Sequence, residues 1–254
     1  MSVDFGSELD EQVAIVTGAS SGIGEATAKA LASRGARVVV AARREDELQD
    51  LREQITADDG EALVVPTDIT NDDDIDALVD ATLDEYGRID ILVNNAGVMP
   101  LSHIADVDRE TLQTTIDVNL SGLVKLTHAV IPTMIEQERG HVVNLSSVVG
   151  RFLMENGAHY NATKAGVKMF GDSLRLDVAE EGIRVATIEP GSVATELPES
   201  IADEEIKAQI EALEDSMRPL RPADVARTIA FVVSQPEHVD INEVLVRPTD
   251  QVQP

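Results

Sequence analysis

Tyr160 and Lys164 stand four residues apart in the segment YNATK, within a stretch read as helix, so their side chains share one face. A free phenol, with a pKa near about 10, is a poor acid–base catalyst at neutral pH, whereas an adjacent ammonium favours the phenolate and pulls that value down. Such a pair can deliver and recover a proton, and the expectation is a Tyr160 pKa depressed by Lys164. Taken alone, the spacing also describes an ordinary amphipathic surface pair. A second candidate is TGASSGIG, Thr17 to Gly24, where glycines sit among small hydroxyl residues directly after the apolar run VAIV. A segment of this kind leaves a strand and enters a helix, the place where a dinucleotide pyrophosphate meets backbone N–H groups and the helix dipole. A bulky side chain there would block the phosphates. The plainer alternative is a tight turn.

The elements that would position these residues follow from periodicity. VAIV at 13–16, RVVVAA at 37–42, ALVVP at 62–66, ILVNN at 91–95, HVVNLS at 141–146 and RVATIEP at 184–190 are short runs rich in valine and isoleucine, read as strands buried on both faces. Amphipathic segments lie between them, such as IGEATAKALASRG from Ile23 and DDIDALVDATLDEYG from Asp73, each closed by glycine. Strand alternating with helix implies right-handed crossovers and a parallel sheet covered on both sides. The expected fold is a Rossmann-type, doubly wound α/β domain of about seven strands, the seventh at VLVR, 244–247. No linker divides the chain, so residues 1–254 are read as a single domain, with 196–219 a polar helical excursion where a substrate lid would sit.

The second strand ends at Ala42, where a fold that prefers NAD usually carries an acidic residue for the ribose hydroxyls. Arg43 and Arg44 follow instead, and a guanidinium grips the 2'-phosphate of NADP with charge-assisted hydrogen bonds. NADP(H) is the expected cofactor, the alternative being that both arginines are a solvated helix start.

Composition narrows the function classes. The chain has no cysteine, and its five histidines show no ligand spacing, so no metal site and no thiolate chemistry are expected. The N-terminal stretch MSVDFGSELDEQ is acidic without an apolar core, and no eighteen apolar residues run together. Neither a signal peptide nor a membrane span is expected, and the reading is cytoplasmic. The formal net charge is -27, from 47 acidic and 20 basic residues, a field that repels nucleic acid and anionic membranes. Scarce lysine, few aromatics and an acidic excess resemble the proteins of salt-accumulating halophiles.

TGxxxGxG, NNAG at Asn94–Gly97, Asn119 in DVNLSG, Ser147 in NLSSVVG, YNATK and the pair Pro190–Gly191 occur in this order over essentially the whole chain. Together they resemble the short-chain dehydrogenase/reductase family, in its single-domain branch. The resemblance implies hydride exchange between NADP(H) and a carbonyl or alcohol, with Asn119, Ser147, Tyr160 and Lys164 as the catalytic set. Ser147 is preferred to Ser146 because the family places its serine thirteen residues before the tyrosine. In that scheme Ser147 steadies the carbonyl oxygen and Tyr160 donates the proton. Lys164 tunes the phenol and binds the nicotinamide ribose, and Asn119 holds a water of a proton relay. Gly18, Ser20, Ser21, Gly22, Ile23 and Gly24 would cradle the pyrophosphate. Arg43, Arg44 and Asp68 would meet the adenosine end, Asn95, Ala96 and Gly97 would line the cofactor, and Pro190, Gly191, Val193 and Thr195 would reach the carboxamide end. A homotetramer through the helices carrying Asn119 and Tyr160 is also implied. Members of this fold that act as non-catalytic regulators typically lose the tyrosine or the lysine, and both are present here. An epimerase or dehydratase would carry TGxxGxxG and a larger C-terminal domain.

The tail NEVLVRPTDQ and the segment SSVVGR resemble the subgroup of serine and 3-hydroxy acid dehydrogenases and clavulanic aldehyde reductase. A 3-hydroxy acid or a small aldehyde or ketone is the implied substrate. Arg151 would then face a substrate carboxylate, or else form a surface salt bridge.

Overall fold

The computed structural model describes residues 9–252, so most of the acidic N-terminal stretch lies outside the described residues. β1 (Val13–Thr17), β2 (Arg37–Ala42), β3 (Glu61–Pro66), β4 (Ile91–Asn94), β5 (Gly140–Leu145), β6 (Ile183–Pro190) and β7 (Glu243–Val246) form one parallel sheet in the order β3-β2-β1-β4-β5-β6-β7. Each interior run alternates faces with the period of two that a strand imposes. Ala14 and Val16 join one core cluster, with Leu31 and Val225, while Val13 and Ile15 join the opposite one, with Leu126 and Leu174. The first cluster is covered by α1 (Gly22–Ala32), α2 (Glu45–Ala57) and α8 (Pro222–Val233). The second lies under α3 (Asp72–Tyr86), α5 (Gly122–Glu136) and α6 (Ala158–Val178). This is the Rossmann-type sheet expected from the sequence.

β3 departs from the expectation of burial on both faces: as the outermost strand it has exposed ends and a half-buried middle. With no neighbour beyond it, fewer groups cover its valines. α3 begins with Asn71, whose side chain accepts from the Asp73 amide, and Asp72, Asp73 and Asp74 occupy the positive end of its dipole. Gly87 closes it in the left-handed conformation. α4 (Arg109–Ile116) runs through a π-helical turn, Asp117–Ser121, into α5. This helical stretch is long and apolar enough by composition to cross a bilayer, which the sequence reading did not anticipate. Its apolar face is already used, since Leu126, Val130 and Met134 are wholly buried against the sheet.

The chain lays down β1, β2 and β3 outward in one direction, then returns to place β4 on the other side of β1. Loops leaving β1 and β4 therefore diverge, and a crevice opens at their carboxyl ends. α6, which carries Tyr160 and Lys164, is drawn against β6 at Gly171. A Cβ there would stand 2.5 Å from Thr187 Oγ1 and 3.4 Å from Asn144 Nδ2. Gly171→Ala is expected to lose about 1–3 kcal/mol to overpacking, partly offset by alanine's better helix propensity, and to lower turnover by lifting α6. Adding Thr187→Ala should recover both. Chemical unfolding and turnover of the single and double variants check this, and a Gly171→Ala protein as stable and active as the parent would refute the tight contact.

Candidate active site

The carboxyl ends of β1, β4, β5 and β6 open on a cleft of about 710 Å³. Gly18 lies at φ 63°, and a Cβ on it would stand 2.8 Å from Asn95 Nδ2 and 2.9 Å from Ala96 Cα. The loop is pressed onto the NNAG segment by a set of hydrogen bonds. Asn95 Nδ2 donates to the Thr17 and Gly18 carbonyls at 2.9 and 3.2 Å, and Thr17 Oγ1 accepts from the amides of Asn95 and Ala96 at 3.0 and 3.1 Å. Asn94, buried one residue earlier, donates to Thr127 Oγ1 and Asn144 Oδ1, both at 2.9 Å, which ties β4 to α5 and β5. Ser20, Ser21, Gly22 and Ile23 then line the cleft at the start of α1. Gly24 does not line it. It sits beneath the loop, where a Cβ would run into the Gly18 carbonyl, so its place is to let α1 approach β1.

On the far wall, Ser147 starts the 3-10 turn Val148–Gly150. Its Oγ accepts from the Val149 amide at 3.3 Å and reaches the Pro190 carbonyl at 3.5 Å. Ser146, which also lines the cleft, donates to the Lys164 carbonyl at 2.8 Å and so ties the end of β5 to α6. Tyr160 and Lys164 both line the cleft, yet they are only 4% and 6% exposed. Burial pushes the Tyr160 phenol up to about 12, with a hydrogen bond to Ser147 pulling the other way. This reverses the depression expected from Lys164. The ammonium lies 5.8 Å from the centre of the Tyr160 ring and donates instead to the Leu145 carbonyl at 2.9 Å. Desolvation lowers Lys164 itself to about 8.

Asn119 lies in the π-helical turn, wholly buried behind the cleft wall. Its Oδ1 accepts from the Val98 amide and its Nδ2 donates to the Val98 carbonyl, both at 2.8 Å, and Nδ2 also reaches Thr163 Oγ1 at 3.3 Å. Both amide atoms are thus engaged by protein. Gly97 is the link to the lysine, since a Cβ on it would stand 3.3 Å from Asn119 Oδ1 and 3.6 Å from Lys164 Nζ. Thr17 and Thr163, to which the sequence reading gave no part, lie inside the quoted segments TGASSGIG and YNATK. Their signal was the hydroxyl where a purely steric role would accept any small residue.

At the other end, Arg43, Arg44 and Asp68 line the same cleft. Arg44 is already occupied: its guanidinium donates to Ser20 Oγ and Ser21 Oγ at 2.9–3.2 Å and faces Glu196 Oε2 at 3.5 Å. Asp68 Oδ1 accepts from the Thr70 amide and hydroxyl at 2.9 and 2.7 Å. The Thr70 amide chiefly, then its hydroxyl and the Arg43 charge, hold this carboxyl below its ordinary range against the pull of burial. Asn95, Ala96, Gly97, Pro190, Gly191, Val193 and Thr195 complete the wall, and Gly22 packs against Thr195. An elongated cleft with a glycine loop at a helix start and guanidinium groups at one end fits a phosphate-bearing dinucleotide. Arg151 does not face the cleft: its Nε donates to the wholly buried Glu189 at 2.8 Å, and its Nη2 pairs with Glu243.

A buried ammonium with a lowered pKa opposes folding below that pKa. The unfolded chain holds the proton up to about pH 10.5 and the folded one only to about 8, so the penalty is relieved as pH rises between these values. Without coenzyme, the parent's stability relative to Lys164→Met is therefore expected to rise from pH 8 to 10, by at most roughly 3 kcal/mol. Urea unfolding at the two pH values checks this, because other groups titrate alike in both proteins. A constant difference would show that Lys164 keeps its proton when buried.

Residues 12–206 match the family model described as short chain dehydrogenase. An uncharacterised oxidoreductase of Listeria monocytogenes is 39% identical over 96% of this chain and 98% of its own length. Among solved structures, a metagenomic short-chain oxidoreductase in complex with NADP is 35% identical, with a TM-score of 0.82 over 96% of this chain and 99% of that one. The closed form of serine dehydrogenase complexed with NADP+ is 32% identical, with a TM-score of 0.86 over 92% and 94%. A fold, a cleft and a sequence shared over nearly the whole length lead to one assignment: the chain is an oxidoreductase of the short-chain dehydrogenase/reductase family.

Proposed function

We propose that the protein is an NADP-dependent oxidoreductase that interconverts a carbonyl and an alcohol, with Tyr160 as the general acid and base. The observation that carries this reading is the meeting of Ser147, Tyr160 and Lys164 on one wall of a cleft whose other end holds the glycine loop and Arg43. NADP(H), when bound, supplies or accepts the hydride. Ser147 Oγ hydrogen-bonds the carbonyl oxygen as negative charge grows on it. Tyr160, protonated at neutral pH, passes its phenolic proton to that oxygen to complete the alcohol. Lys164, close to titrating near neutrality, returns the proton to the phenol, while Asn119 holds the Val98 backbone that forms the floor of the cleft. Gly18 to Ile23 hold the pyrophosphate, and Arg43 grips the 2'-phosphate, with Arg44 joining once Glu196 releases it. The NADP complexes of the two similar structures support this coenzyme. Tyr160 and Lys164 are both present, which favours turnover over a non-catalytic regulatory role.

Residues 1–254 act in this reading as one dinucleotide-binding and catalytic domain, with 196–219 as its lid. The acidic, cysteine-free composition supports a cytoplasmic, salt-adapted protein that does not bind nucleic acid. Ile116, Ile135, Met169 and Leu176 are exposed on α4, α5 and α6, the helices through which a homotetramer would form. At molar salt the Debye length falls to about 3 Å, so repulsion between subunits of charge -27 largely disappears. Light scattering and thermal unfolding from 0.1 to about 3 M KCl should give a tetramer whose midpoint rises with salt. A mass of 27.3 kDa throughout, or a flat midpoint, would reject the assembly or the salt adaptation respectively.

Tyr160→Phe keeps the ring packing and removes only the proton donor. It is expected to lower kcat at least about a hundredfold with NADPH affinity unchanged. Arg43→Ala should weaken NADPH by about 1.5–3 kcal/mol and leave NADH nearly as it was. Equal losses for both coenzymes would make Arg43 structural, and a Tyr160→Phe enzyme with most of its kcat would remove the tyrosine from the mechanism.

A further inference from the structure

From the charge and packing around Tyr160 we infer that the substrate is an uncharged, apolar carbonyl compound or its alcohol, and that carboxylate-bearing substrates, 3-hydroxy acids included, are rejected. This narrows the carbonyl–alcohol reading above and rests on it. Among the described residues lining the cleft, the cations are Lys164, Arg43 and Arg44. The two arginines follow β2, which lies three strands from β5 in the sheet, a separation of roughly 14 Å at about 4.8 Å per strand. Lys164 is tied to the Leu145 carbonyl and serves the phenol.

The wall around Tyr160 is apolar. Tyr160 belongs to a cluster with Leu101, Val148, Val149, Ile201 and Ile206, which joins the catalytic wall to the lid helix α7 (Glu204–Asp215). Ile210 and Leu213 of that helix line the cleft as well. Glu199, which lines the cleft from the turn Leu197–Ser200 just before that helix, would repel an anion further. A carboxylate drawn against this wall loses water and meets hydroxyl groups such as Ser147 but no guanidinium to pair its charge.

The guanidinium nearest in sequence to Ser147 cannot take that role. Arg151 pairs with Glu189, whose side chain is wholly buried, and with Glu243, which also meets Lys168 at 3.0 Å. Turning Arg151 toward a substrate would strand Glu189 as an unpaired buried charge, a strongly unfavourable state. Arg247 lies over the Phe152 ring, and neither Lys207 nor Arg218 lines the cleft.

The test compares matched pairs with NADP+ and the full-length enzyme: 3-hydroxybutanoate against its methyl ester, and secondary alkan-2-ols of four to eight carbons. The ester is expected to exceed the acid at least about a hundredfold in kcat/KM. Each early methylene of the alkanols should add about fourfold. Independently of turnover, hexan-2-ol should raise the thermal midpoint of the enzyme–NADP complex, and hexanoate should not. Leu213→Arg, at a half-exposed cleft position where no core is opened, should raise activity on the acid at least about tenfold. An acid used as well as its ester would overturn the inference and leave the carbonyl–alcohol reading standing. If acid, ester, alkanols and their oxo forms are all inert, the carbonyl–alcohol reading fails and takes the inference with it.

Discussion

The cleft depends first on the hydroxyl of Thr17. At the end of β1 it accepts from two successive amides, those of Asn95 and Ala96, and donates to the Val93 carbonyl at 3.3 Å. The sheet order makes β1 and β4 neighbours whose exits diverge, and diverging exits leave backbone N–H and C=O groups without ladder partners. Thr17 and the Asn95 side chain satisfy those groups while holding the two exits at one separation. The glycine loop is folded against this clasp, which is why Gly18 admits no side chain on the side of Asn95 and Ala96. A crevice that topology alone would leave open is thereby given a fixed wall.

The opposite wall is built on a second set of buried polar contacts, and these explain the electrostatics of Tyr160 and Lys164. α6 meets the end of β5 through Ser146, which binds the Lys164 carbonyl, and through Lys164 itself, which binds the Leu145 carbonyl. One residue is therefore held at both its main chain and its side chain. The same closeness strips water from the ammonium and from the phenol, so both shift toward their neutral forms. A neutral phenol is the form that donates a proton, and a lysine near the midpoint of its titration can replace it. The pair is thus poised by burial rather than by mutual attraction.

Much of this was legible in the sequence because it is local. Valine-rich runs mark the seven strands, helical periodicity marks the crossovers, and TGASSGIG and YNATK mark the two walls. What escaped depends on contacts between distant segments. Nothing in ALVVP says that β3 will be the outer strand, since strand order is a property of the whole chain. Asn119 and Gly24 were recognisable as parts of motifs, but whether a motif residue faces the cleft or stands behind it is decided by packing. The partners of Arg151 at Glu189 and Glu243, and of Arg44 at Glu196, lie far along the chain, so the sequence names none of them and leaves both a ligand and a salt bridge open for Arg151. The direction of the Tyr160 shift was misread for a related reason: the spacing of four places two groups on one face but says nothing of what else surrounds them.

Residues 196–219 meet the rest of the protein through an ion pair and an apolar cluster, besides the Met99 amide that donates to Ser200 Oγ at 3.1 Å, and magnitudes decide between the first two. Arg44 faces Glu196 at 3.5 Å, with both side chains about half exposed, and a pair of that kind contributes about 0–1 kcal/mol, less in salt. Ile201 and Ile206, 3% and 8% exposed, bury nearly their whole side chains against Leu101, Val148 and Val149, and each such burial is worth about 1.5–3 kcal/mol. The apolar cluster therefore sets where this segment rests, and the ion pair only biases its first residue. Screening by salt would weaken the ion pair and leave the cluster. Because Tyr160 is itself a member of that cluster, the contacts that seat this segment are also the ones around Tyr160 in the cleft. One group of side chains thus both seats residues 201–206 and surrounds the Tyr160 ring.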